Sequence, residues 1–503
     1  MYNLVGTNPD GTITNPTNLT TDLADDHPIS IPVVQTAELW APEQVDPNTT
    51  SPVRLENGLV QCSSCHDPHC NNDNFLVLTA DYGTLCKECH HQNGWDQSAH
   101  GAATGVSWTD PDTNVTKTVA QWACLGCHDM HRASEQELLQ DDGDPNRTLL
   151  EEVCFRCHNG TAAPDIRDEF YKTYSHPVQD PSYDGVHYPT EPNPPEETHI
   201  ECTDCHDPHY GESGSRVLGD DTAGGMLKGI YAPQVGPNAP YTYSDTPWTP
   251  PNYGPVHEIT YEYELCLKCH GTVSSMQLSN DHKEEIDVYF NPNNLATHGC
   301  ILPGKNRNPY TVSGFREELG WDLNTTIACC DCHGNDDTSA DRITGPHGSE
   351  NHWLLRESGI VDNNGNSVVC YLCHDEEVYG KNGTEGSRSA FPYHTKGGHW
   401  NQQPDYPPGV PEVGCFVCHG DFSRQLTDGY TAGGLHGANS GRADRPETTR
   451  GTHFLNGFGI EIFSSEQDLI TPGATISCGD YYDESSGYGC SKHSTTSYTR
   501  PIY

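Results

Sequence analysis

The sequence predicts a fold of mostly irregular coil, with short helices, few short strands, and a core that side chains alone do not supply. Three observations predict it. Only 33% of the 503 residues are hydrophobic, and Asp and Glu outnumber Lys and Arg by 71 to 26, for a net charge of -45. Such a chain cannot bury enough apolar surface to offset the entropy of ordering itself. It also holds 49 Gly and 37 Pro, which interrupt regular elements. The third observation is the distribution of its 23 Cys and 28 His, which recur in one fixed pattern.

Cys-x-x-Cys-His occurs nine times. The first five copies are Cys62/Cys65/His66, Cys86/Cys89/His90, Cys124/Cys127/His128, Cys154/Cys157/His158 and Cys202/Cys205/His206. The last four are Cys266/Cys269/His270, Cys329/Cys332/His333, Cys370/Cys373/His374 and Cys415/Cys418/His419. Random placement would give roughly 0.06 matches. Two thiols at this spacing can add to the vinyl groups along one edge of a porphyrin, and the next residue sets an imidazole under the iron as proximal ligand. A zinc site or a redox dithiol would not need the trailing histidine every time. The chain therefore carries nine covalently attached haem c groups, roughly one per 56 residues, and their stacked faces replace an aliphatic core.

The elements follow the motifs in order. Residues 1–55 form an N-terminal arm with His27; 56–100 hold haems 1 and 2; 101–175 hold haems 3 and 4. Residues 176–297 hold haems 5 and 6 around a Pro/Tyr-rich insertion from Gly211 to Pro255, expected as an extended surface excursion. Residues 298–393 hold haems 7 and 8, and 394–450 carry haem 9. Residues 451–503 have no haem motif and read as a β-containing cap or interface arm. The repeat of paired motifs separates four modules and a closing single.

Each iron needs a sixth ligand. Met cannot serve, with four in the chain, whereas 19 histidines remain once nine are proximal. Bis-histidine ligation gives low-spin, low-potential iron suited to outer-sphere transfer. One candidate set is His69, His131 and His209, each three residues after a proximal histidine and so directed to a neighbour's iron, with His347 in the fourth module. A second set precedes each pair: His27, His100, His176 and His298. Haem 9 is left to His394, His399 or His436, while His199 and His257 are substitutes within the series.

Five cysteines lie outside the motifs. Cys478 with Cys490 and Cys300 with Cys330 are candidate disulfides, and Cys70 is left over. The acidic surface excludes nucleic acid as a partner and fits either bound divalent cations, Ca²⁺ first, or plain solubility. No stretch has the length of a membrane span. Thioether haem is attached outside the cytoplasm, so an export signal is expected to precede this numbering.

CHDPH and CHDMH after the attachment cysteines, DDHPI at Asp25–Ile29 and GLHG at Gly434–Gly437 carry a resemblance. The chain resembles multihaem c-type cytochromes with paired CxxCH motifs, especially the extracellular filament-forming cytochromes of metal-reducing bacteria. That resemblance implies a homopolymer with end-to-end haem contact that passes respiratory electrons to external acceptors. It also implies that a histidine near the N-terminus, His69 or His27, ligates a haem of the next subunit. Nine haems depart from the compact tetrahaem and hexahaem versions. A monomeric outer-surface or periplasmic carrier is the alternative. A multihaem reductase with one open haem is a third reading, against which all nine motifs end in His and none in Lys.

Overall fold

The computed structural model describes residues 26–36, 38–39, 51–92, 94–131, 133, 138–140, 149–178, 200–214, 216–236, 249–273, 286–292, 296–304, 314–322, 324–336, 342–357 and 369–379, with short strands at 437–438, 440–442, 445–450, 475–477 and 497–499. Eight of the nine attachment motifs lie within them; Cys415, Cys418 and His419 do not.

The regular elements are short. The helices are α1 (Cys62–Cys65), α2 (Val119–Trp122), α3 (Leu149–Phe155), α4 (Cys202–Cys205), α5 (Glu262–His270) and α6 (Glu376–Tyr379). Four of them contain attachment cysteines. Strands β1 (Ser107–Thr109) and β2 (Thr116–Thr118) form a hairpin, as do β5 (Tyr231–Pro233) and β6 (Val256–Glu258). Longer connections pair β3 (Tyr174–Ser175) with β9 (Gly348–Ser349), β4 (Arg216–Val217) with β8 (Arg342–Ile343), and β7 (Ala296–Thr297) with β10 (Gly437–Ala438). Further on, β11 (Ser440–Arg442) pairs with β12 (Arg445–Arg450), and β13 (Thr475–Ser477) with β14 (Ser497–Thr499). Every pair is antiparallel and stays two-stranded. Isolated two-stranded pairs are marginal in water, so something else must hold them.

Local chemistry explains where the helical turns start. In three motifs the second x residue caps its own turn: Gln61 N–H donates to Ser64 Oγ, Glu201 N–H to Asp204 Oδ2, and Ala328 N–H to Asp331 Oδ2. The turn at α2 uses Thr118 instead: Gln121 N–H donates to Thr118 Oγ1, and Thr118 N–H donates to Gln121 Oε1. This reciprocal arrangement is a capping box.

Aliphatic packing is sparse and broken into patches. Val235, Tyr263, Leu267, Phe290, Cys300 and Ile301 form one cluster around α5. Ile230, Ala232 and Ile259 form a second, and Leu355 with Val369 a third. Domains of this length usually have one contiguous core. Buried ions fill part of the gap: Arg216, 6% exposed, pairs with Glu262 and with Asp331 at 3.1 Å.

Two sequence expectations change here. Cys300 and Cys330 are both buried thiols, not a disulfide; the Cys300 thiol is instead in hydrogen-bond contact with Cys329. The insertion after Gly211 is also more than a surface excursion, because its residues Ile230 and Ala232 pack against Ile259 and its Met226 carbonyl accepts from His206. Cys478 and Cys490 lie outside the described residues.

Candidate haem-binding site

The histidines come together in pairs, each joining one that closes an attachment motif to one that lies outside the motifs. His66 faces His131 with ring centroids 6.0 Å apart, and His90 faces His27 at 6.2 Å. His128 faces His209 at 6.4 Å and His158 faces His100 at 6.3 Å. His206 faces His347 at 6.1 Å and His270 faces His176 at 6.5 Å. An iron about 2 Å from each coordinating nitrogen puts two opposed imidazole centroids about 6 Å apart. The gaps have the size of one iron in every case.

The ring nitrogens are oriented accordingly. Among the proximal histidines, the Nδ1 of His66 bonds to the Asn74 carbonyl (2.9 Å), that of His206 to Met226 (3.1 Å) and that of His333 to Trp353 (2.8 Å). On the opposite side, His100 Nδ1 bonds to the Pro208 carbonyl (3.1 Å), His176 Nδ1 to Pro346 (2.6 Å), and His131 Nδ1 to the buried Asp26 carboxylate (3.1 Å). Each contact uses Nδ1 as donor and leaves Nε2 for the metal, the outer-shell arrangement that fixes tautomer and ring direction. Two of these carbonyls come from strained backbone: Asn74 and Trp353 both have positive φ, and so do Phe75 and Leu354 after them. Non-glycine residues pay for that conformation, and here it turns a carbonyl towards a proximal imidazole.

Burial favours the neutral form of seven of the imidazoles, the form that ligation requires. It lowers His158 to about 4, with His100 and His206 adding to the effect. It lowers His347 to about 3, reinforced by His206, His176 and His158. His27, His90, His176, His206 and His209 are all lowered as well, desolvation first.

These mutual influences also order the sites in space. His27 lies near His131, joining sites 1 and 2, and His90 feels His128 and His209, joining 2 and 3. His209 feels His100 (3 and 4), His158 feels His206 (4 and 5), His347 feels His176 (5 and 6), and His176 feels His333 (6 and 7). The sites run in sequence order. Cysteines meet at the junctions with a regular alternation. First cysteines touch between modules: Cys86 with Cys124, Cys154 with Cys202, Cys266 with Cys329. Second cysteines approach within modules: Cys65 with Cys89, Cys127 with Cys157, Cys205 with Cys269, Cys332 with Cys373.

Several sequence candidates stand elsewhere. His69 is 90% exposed, its Nδ1 on Asp67 Oδ1 at 2.8 Å, and among the described residues it faces no proximal imidazole. His257 bonds through Nε2 to Glu264 of α5 at 2.9 Å, two positions before Cys266. His199, His394, His399 and His436 lie outside the described residues, as does the acidic stretch 141–148. Among the described residues one set of three ligating atoms gathers, from Glu262, Cys266 and Cys329. Both cysteines belong to attachment motifs, and no all-oxygen set suited to Ca²⁺ appears beside it. No helix among the described residues is long and apolar enough to cross a membrane.

Sequence reading missed one group. Glu151 and Glu201, 1% and 2% exposed, meet beside Cys154 and Cys202 at the junction of sites 4 and 5. Burial and the adjacent Glu201 push Glu151 up to about 11. Acidic residues beside attachment cysteines were legible; their burial was not.

No curated protein and no solved structure matches the chain. Residues 55–94 and 117–163 match the family described as the doubled CXXCH motif, one match over each of the first two modules. Taken with the paired imidazoles and the spacing of the thiols, that match supports a multihaem c-type cytochrome with covalently bound haem.

Proposed function

We propose that this chain holds nine c-type haems, mainly bis-histidine ligated, and passes electrons along them outside the cell as the subunit of a cytochrome filament. The observation that carries the reading is the set of six imidazole pairs, 6.0–6.5 Å apart, arranged in sequence order. Cysteine pairs at positions 62/65, 86/89, 124/127, 154/157, 202/205, 266/269, 329/332, 370/373 and 415/418 attach the porphyrins. His66, His90, His128, His158, His206, His270, His333, His374 and His419 are the proximal ligands. His131, His27, His209, His100, His347 and His176 complete haems 1 to 6 in that order.

A bound haem supplies the one-electron centre. The chain's own residues bury the imidazoles, turn the Nε2 of His66, His206, His333, His100, His176 and His131 to the site through an Nδ1 hydrogen bond, and bring neighbouring sites together. Nothing in this arrangement requires a substrate pocket, which favours electron transfer over a reductase.

The polymeric form rests on His69. His27 is committed to His90 within the chain, so the exposed His69 is the candidate for the iron of a neighbouring copy. Electron microscopy of the purified native protein tests this. Uniform filaments, lost on His69→Ala with haem content unchanged, are expected. Discrete particles of one chain's mass would leave a monomeric outer-surface or periplasmic carrier instead.

A further inference from the structure

Three crossings of the chain deliver the six distal histidines, and all three follow one rule. In the first, His27 N–H donates to the Met130 carbonyl, laying His27 beside His131. In the second, Ala99 N–H donates to the Gly211 carbonyl, laying His100 beside His209. In the third, β3 pairs with β9 so that Ser175 lies opposite Gly348, and His176 N–H donates to the His347 carbonyl. Each crossing juxtaposes one histidine that precedes a module with one that follows the first motif of the next module, and the third is an antiparallel strand pair. The preceding histidine always faces the even site (His90, His158, His270), and the following one always faces the odd site (His66, His128, His206).

A fourth crossing exists, and its destination is not assigned by any pair of rings described above. Strand β7 pairs with β10, with Thr297 opposite Gly437 and Ala296 opposite Ala438. In the third crossing, the paired residues are the one just before His176 and the one just after His347. In the fourth, they are the one just before His298 and the one just after His436. The register is the same. The sequence around the second strand repeats too: Gly345-Pro346-His347-Gly348 corresponds to Gly434-Leu435-His436-Gly437, and both follow a CHG attachment motif.

We infer that His436 is the distal ligand of haem 7, on Cys329, Cys332 and His333, and that His298 is the distal ligand of haem 8, on Cys370, Cys373 and His374. This rests on the bis-histidine reading above and removes His436 from the three candidates the sequence offers haem 9, His394, His399 and His436. The rule then leaves haem 9 without a partner of its own type, since the histidine it calls for follows the first motif of a next module. The residue of that type left unused in this chain is His69.

The test separates haem 7 from haem 9 by removing the latter. Full-length Cys415→Ala/Cys418→Ala/His419→Ala is prepared with and without His436→Ala, and ferric spin state is read by EPR alongside haem content. Eight low-spin haems in the first, and one high-spin haem per chain appearing with His436→Ala, are expected. A low-spin parent unchanged by His436→Ala overturns the assignment alone. A parent already high-spin at several sites contradicts the bis-histidine reading and the assignment with it. Should the triple variant not accumulate, a cryo-EM map of the native haem-loaded protein decides the same point. The residue 436 imidazole on the iron of the Cys329/Cys332 haem supports the inference, and on that of the Cys415/Cys418 haem overturns it.

Discussion

Asp26 shows how one residue serves a site more than a hundred positions away. Its buried carboxylate accepts from His131 Nδ1 and so leaves Nε2 for the iron that His131 and His66 would hold between them. Replacing the ligand itself has a signed consequence: His131→Met gives haem 1 a His/Met pair, and redox titration is expected to show the potential of one haem rising while the others stay. The buried histidines carry a pH dependence. His158 and His347 are lowered to about 4 and 3, while the unfolded chain titrates them near 6.5. The unfolded state therefore binds more protons between those values, and stability falls as pH drops from about 6.5 towards 4. Glu151 acts oppositely: its carboxyl is raised to about 11, so the folded state holds a proton that the unfolded state has released above about 4.5. Its contribution is lost as pH rises through the neutral and alkaline range. Glu151→Gln is expected to flatten that alkaline loss in denaturant melts at pH 7 and pH 9, and equal slopes for both proteins would contradict it. The attachment cysteines and proximal histidines were legible in the sequence because their spacing is local. Glu151 was not, because its effect depends on Glu201, which reaches it through the fold.

At the scale of elements, the short helices owe their positions to caps more than to periodicity. Thr118→Ala removes the acceptor for Gln121 N–H at α2 and is expected to cost about 1 kcal/mol in urea unfolding. The three self-capped motifs could have been anticipated from Ser64, Asp204 and Asp331, each the second x of its motif. What the sequence did not reveal is the destination of each distal histidine. His131, His209 and His347 lie in the second, third and fourth modules, yet they face His66, His128 and His206 of the module before. Modules that read as sequential units are thus interlocked: each completes its predecessor. The pairings depend on contacts between distant segments, His27 with Met130, Ala99 with Gly211 and Ser175 with Gly348, and no local pattern encodes those.

For the whole molecule, the composition and the structure agree on one physical point. A chain with 33% hydrophobic residues and a charge of -45 packs only three small apolar clusters among its described residues, and the stacked sites must hold the rest. Charge should then govern association between copies. Haem propionates add roughly one further negative charge per ferric bis-histidine haem, and self-repulsion is screened beyond about 10 Å at 0.1 M salt. The length of the proposed filament, measured by electron microscopy, is expected to increase from low to moderate ionic strength; shortening would point to ion pairs as the contact. The central claim is a continuous row of irons, each between two imidazoles. The most direct test is EPR of the fully oxidised, haem-loaded native assembly, with iron counted per chain. Nine irons, all low-spin, are predicted, and a high-spin signal amounting to one or more haems per chain in the assembled state would contradict the account.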